Sequence, residues 1–148
     1  MKRFGLGLRR WTVAFSVAIS ATALGFLGEV GATALDSPLP ADAVAFIPPA
    51  IYRVWWARTE ACSQLHGRLG SIRWYSLPNK ATFMTPAGER VATWSHGGAG
   101  TRIVVAGGYL TDELVVRHEM LHALLDRGSH PPAHFIDRCH LTWQSWGG

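Results

Sequence analysis

Apolar residues recur at helical spacing over residues 50–65, at Ile51, Val54, Trp55, Ala61, Cys62 and Leu65, with Arg53, Arg58, Glu60 and Gln64 between them. This period predicts an amphipathic helix, opened by Pro49 and closed by Gly67. The pattern changes at Ile72. Residues 72–77 are rich in β-branched and aromatic side chains and stop at Pro78-Asn79, as a strand does. Residues 91–94 form a shorter strand candidate after the turn signal Pro86-Ala87-Gly88, and residues 101–106 form the strongest one. Between these two, residues 95–100 read as a flexible glycine loop with no phosphate-binding pattern. A second helix is expected over residues 112–127, with Thr111 as N-cap, Asp112 and Glu113 at the positive end of its dipole, and Gly128 as C-cap. Helices flanking a few short strands make an α+β domain.

The first 34 residues follow a different logic. Lys2, Arg3, Arg9 and Arg10 precede an uncharged run over residues 11–27, and small residues follow at Ala32-Thr33-Ala34. This is the layout of a secretory signal peptide cleaved after Ala34. Membrane attachment through a retained run at 11–27 is the alternative, since its length approaches that of a short span. Residues 35–48, with Pro38, Pro40 and Pro48 among small residues, read as an extended Pro-rich linker. Residues 49–148 are then the folded domain.

Charge looks different once the leader is set aside. The chain is formally +4, but residues 1–34 carry four Lys/Arg and one acid, Glu29; the remaining ten basic and nine acidic residues leave +1. Nucleic acid is therefore not an expected partner. The 48% apolar and 16% charged composition suits one buried core. Cys62 and Cys139 are the only cysteines, and an even count in an exported chain predicts a disulfide. Closing so long a loop stabilises a fold by roughly 4 kcal/mol in the chain-entropy treatment. Export and the disulfide together point to a secreted or cell-envelope protein.

The chemistry sits on the second predicted helix. His118-Glu119-Met120-Leu121-His122 is an H-E-x-x-H pattern, whose two histidines share one helical face and reach one tetrahedral zinc ion. Glu119 follows at about 100° around the helix, beside the place where a water would bind, as a general base. Val115, Leu121, Leu124 and Leu125 make the helix largely apolar, a costly setting for idle polar groups. Zinc needs a third protein ligand if one position is to stay open. His130 follows the chain reversal at Gly128 and precedes Pro131-Pro132; His134, His140, Asp126 and Asp137 are the other candidates. Asp126 or Asp137 is also suited to orienting a liganding imidazole. Tyr109 and His134 or His140 are candidate donors to a developing oxyanion, and Trp143 and Trp146 are candidates to line a groove.

In His118, Glu119, His122 and the segment Gly128-Ser129-His130-Pro131-Pro132, residues 111–135 resemble the zincin metallopeptidases, most closely the small SprT-like group. The resemblance implies a minimal zincin-like fold: a small, mostly antiparallel sheet packed on a backing helix and on the H-E-x-x-H helix. It implies His130 as third ligand to one zinc ion per chain. It also implies that residues 101–106, with Arg102, Ile103, Val104 and Val105, form an edge strand along which an extended substrate adds. The expected activity is hydrolysis of peptide bonds in a peptide or protein substrate by a monomeric exported zinc metallopeptidase. The alternative is a zinc-stabilised binding or assembly domain at the cell envelope without catalysis, suggested by the small size of the domain.

Overall fold

The computed structural model describes residues 38–142; the leader, the candidate anchor at 11–27, Trp143 and Trp146 lie outside them. Strands β1 (Val44–Ala45), β2 (Arg73–Leu77), β5 (Ala92–Gly97) and β6 (Gly100–Ala106) form one sheet in the order β1-β2-β6-β5. The outer two ladders are antiparallel, whereas β2 and β6 run parallel, pairing Trp74 with Ile103 and Ser76 with Val105. Strands β3 (Phe83–Thr85) and β4 (Gly88–Arg90) make a separate hairpin. Helices α1 (Ile51–Ser63) and α2 (Glu113–Leu125), followed by the short α3 (Pro132–Phe135), complete the described residues. The expected α+β class with a small, mostly antiparallel sheet is present. No helix among the described residues is long and apolar enough to cross a membrane.

Two apolar clusters cover the two sheet faces. On one, Tyr52, Trp55 and Trp56 of α1 and Val115, Val116 and Met120 of α2 meet Trp74, Ile103 and Val105. On the other, Phe83 of the β3–β4 hairpin covers Leu77, Val104 and Ala106, helped by Leu39 and Ala43. Residues 38–48, expected to be a tether, are thus extended but docked: β1 pairs with Tyr75 and Ser76, and Phe46 packs on the first cluster. Apolar contacts at Leu39, Ala43 and Phe46 offset the chain entropy that would otherwise keep a Pro-rich segment loose.

Helix α1 buries a different stripe from the one its aliphatics suggest. Tyr52, Trp55, Trp56, Thr59 and Ser63 face inward, while Ile51 and Val54 stay 45% and 46% exposed. The aromatic rings win because each removes far more apolar area from water than a β-branched side chain does. The two buried hydroxyls are satisfied within the helix, Thr59 Oγ1 donating to the Trp55 carbonyl at 2.8 Å and Ser63 Oγ to that of Thr59 at 2.6 Å. Glu113 ties the helices together by accepting from Arg58 at 2.9 Å and from Arg117 at 3.1 Å.

Local boundaries differ from expectation in four places. Asp112, not Thr111, caps α2: its carboxylate accepts from the backbone N–H of Leu114 and Val115, both at 3.0 Å. The helices end on Gln64 and Asp126 in the left-handed conformation rather than on Gly67 and Gly128. Gly67 serves another need, because a Cβ there would lie 2.9 Å from Leu124 and 3.1 Å from Trp56. Residues 95–100 are not a loop; β5 and β6 extend until Gly97 faces Gly100 across a two-residue turn. Just after β6, a Cβ on Gly107 would lie 2.2 Å from the Pro78 carbonyl oxygen, so only glycine lets the chain leave the sheet towards α2.

Candidate metal centre

Helix α2 is buried on two sides. Val116 and Met120 face the sheet and α1, while Leu121 packs with Phe135, Cys139 and Leu141 from the segment that follows. This fixes the helix rotation and leaves His118, Glu119 and His122 lining an open cleft of about 870 Å³ beneath β5. After α2 the chain reverses at Asp126, and His130 returns to the same cleft before Pro131 opens α3.

The three imidazoles converge. Their Nε2 atoms are separated by 3.2 Å for His118 and His122, 3.2 Å for His122 and His130, and 3.0 Å for His118 and His130. Three nitrogens around a tetrahedral ion at about 2.0–2.1 Å lie about 3.3–3.4 Å apart, so the set is close to closed around one ion. The tautomers agree. His118 Nδ1–H donates to the Leu141 carbonyl at 2.7 Å and His122 Nδ1–H to the Arg127 carbonyl at 2.8 Å. Carbonyl oxygens only accept, so both Nδ1 atoms carry the proton and both Nε2 lone pairs point at each other, a repulsion that a cation relieves. These three histidines can hold a metal ion.

Phe135 forms a buried apolar floor, its ring centroid 4.7–5.0 Å from all three imidazoles. Trp94 of β5 stacks on His122 at 6.0 Å. Burial pushes Glu119 up to about 8, although a backbone hydrogen bond from Trp94 and the charge of Arg90 pull the other way. Burial likewise lowers His118 to about 4 and His122 to about 3, against the hydrogen bonds to their backbone carbonyls, and lowers His130.

The chain matches no family model, no curated protein and no solved structure.

Of the expected site residues, His118, Glu119, His122 and His130 come together. Among the described residues, His134, His140, Asp126 and Asp137 do not join the ligand set. Asp126 instead caps α2 and pairs with His96 of β5. The orienting groups expected to be carboxylates are main-chain carbonyls. Tyr109 packs against both apolar clusters, and neither it nor His134 lines the cleft. Strand β6 cannot accept an added strand at Arg102, Ile103, Val104 and Val105, because β2 and β5 use both of its edges. The edge beside α2 belongs to β5, which pairs on one side only among the described residues. The cysteines form the expected disulfide, Cys62 to Cys139, compatible with an oxidising, exported location.

The shifted groups predict how the metal-free protein responds to pH. Below about 6.5 the unfolded chain takes up protons on His118 and His122 that the fold excludes until about 4 and 3, so stability falls as pH falls. Glu119 acts oppositely: unfolded it releases its proton near 4.5, folded only near 8, so its contribution is lost as pH rises. Two protons outweigh one below 6.5, and Glu119 acts alone above it. Urea midpoints of chelator-treated protein should therefore peak near pH 6.5, each unmatched proton giving a slope of about 1.4 kcal/mol per pH unit. A midpoint still rising at pH 8 would contradict this assignment.

Proposed function

We propose that this protein is a zinc-dependent metallopeptidase of the H-E-x-x-H kind, acting outside the cytoplasm on extended peptide or protein substrates. The observation that carries the reading is the convergence of His118, His122 and His130 Nε2 atoms beside the carboxyl of Glu119 in one open cleft. A structural zinc site is closed by four protein ligands, whereas three leave a position for water or substrate. The described residues supply three. This favours catalysis over the alternative of a purely structural metal.

Zinc held by His118, His122 and His130 would supply Lewis acidity at the position left open. The chain does the rest. Glu119, as its carboxylate, would accept the proton of the attacking water and deliver it to the leaving amine. Phe135 and Trp94 hold the imidazoles in place and keep bulk water from their flanks. The substrate lies along the edge of β5 that no strand pairs with among the described residues, where main-chain hydrogen bonds fix an extended chain with little demand on its sequence.

Metal analysis combined with a cleavage assay tests this. The purified protein is expected to hold one zinc per chain and to cut an unfolded protein such as casein. Chelation should stop cleavage, and zinc should restore it. Zinc at about 1,000 times its Kd adds about 4 kcal/mol of stability, visible as a higher melting temperature. One zinc per chain with no cleavage of any unfolded substrate would leave the binding-domain alternative standing.

A further inference from the structure

The cleft contains a cation that the proposed chemistry does not use. Arg90, the last residue of β4, is the only lysine or arginine among the described residues that lines it. Its Nη1 donates to the Glu89 carbonyl and its Nη2 to the Ala87 carbonyl, each at 2.7 Å. Both bonds close back onto the hairpin turn, so the guanidinium is oriented before any ligand arrives. Two of its five N–H groups are used, and among the described residues no carboxylate pairs with it. The adjacent Glu89 is turned to Thr82, whose hydroxyl donates to Glu89 Oε1 at 2.6 Å.

The position suits a flanking group of the ligand more than the reacting carbonyl. Arg90 stands outside the histidine cluster and makes no hydrogen bond to Glu119, yet its charge is felt at both Glu119 and His130. It therefore sits within electrostatic reach of the metal position but displaced from it, on the hairpin rather than on α2 or β5.

Resting on the peptidase reading, we propose that Arg90 is an anion subsite of the cleft, recognising a substrate carboxylate close to the scissile bond. A planar guanidinium with unused donors takes a carboxylate in a bidentate, charge-assisted pair. The carboxylate comes either from an acidic side chain or from the substrate C-terminus. This makes the enzyme selective although its edge-strand contacts are not.

The test uses the zinc-loaded protein and its Arg90→Gln variant. Hydroxamates of short diacids, with one to three methylenes between the zinc-binding group and a free carboxylate, are titrated beside the same compounds as amides. The best carboxylate should bind wild type about tenfold more tightly than its amide, as expected for one hydrogen-bonded charge pair. Arg90→Gln should erase that ratio without changing zinc content or melting temperature. Equal binding of carboxylate and amide by wild type, or a ratio that survives in the variant, overturns the proposal.

Two peptide pairs then separate the sources: glutamate against glutamine beside the scissile bond, and a free against an amidated C-terminus. The pair whose kcat/KM ratio collapses in Arg90→Gln identifies the group. If no peptide is cut while the hydroxamate ratio holds, the peptidase reading fails and the subsite stands. If no hydroxamate binds at all, both fail.

Discussion

Replacing Glu119 by Gln is expected to leave one zinc per chain and to lower turnover of an unfolded substrate by about 10³-fold, the scale of a general base. The substitution is close to silent for the fold. In the metal-free protein burial holds the Glu119 carboxyl at a raised pKa of about 8, so near neutrality it is mostly protonated and neutral, which an amide imitates in size and charge. What the amide cannot do is take a proton. Zinc analysis and the melting curve of the variant, measured beside its activity, separate loss of chemistry from loss of structure. Activity within tenfold of wild type would remove Glu119 from the mechanism.

Removing the disulfide, by Cys62→Ala with Cys139→Ala, should destabilise the protein by about 4 kcal/mol in urea and weaken zinc binding by 10- to 100-fold. The first effect follows from the sequence separation of 77 between the cysteines, a loop whose unfolded ensemble the bond restricts. The second follows from position. Cys139 is fastened to the end of α1, and two residues later the Leu141 carbonyl accepts the His118 Nδ1 proton. Leu141 N–H in turn donates to the Phe135 carbonyl at 2.8 Å, and Arg138 donates to the Ser63 carbonyl at 3.2 Å. Without the bond this strap rests on hydrogen bonds, that of Cys139 N–H to the His134 carbonyl among them, and on the burial of Leu141 and Phe135. A double variant that stays folded and binds zinc as tightly as wild type would show that the disulfide acts on stability alone.

The ligand set was legible in the sequence because its determinants are local. The spacing of His118 and His122 places them a turn apart on any helix, and Asp112 starts that helix within one residue of the expected position. His130 was within reach because chain reversal and prolines restrict where eight residues can go. What escaped depends on distant pairing. Nothing in residues 101–106 says that a parallel partner, β2, takes one edge of β6 and leaves β5 as the outer strand beside it. The three-residue strands β3 and β4 are held by their own turn and by Phe83 reaching the far sheet face. The groups that orient His118 and His122 are backbone carbonyls of Leu141 and Arg127, which every residue type possesses. Arg90 carried no signal because only the hairpin delivers it to the cleft.

The sheet has two rims of unequal length. The chain's own N-terminal segment shields one with β1, while among the described residues the rim of β5, beside the histidines, has no partner strand. A misfolded neighbour searching for a backbone to adhere to would find its longest landing strip there. The place where this molecule is most vulnerable to clumping is thus the strand that borders its histidine cluster.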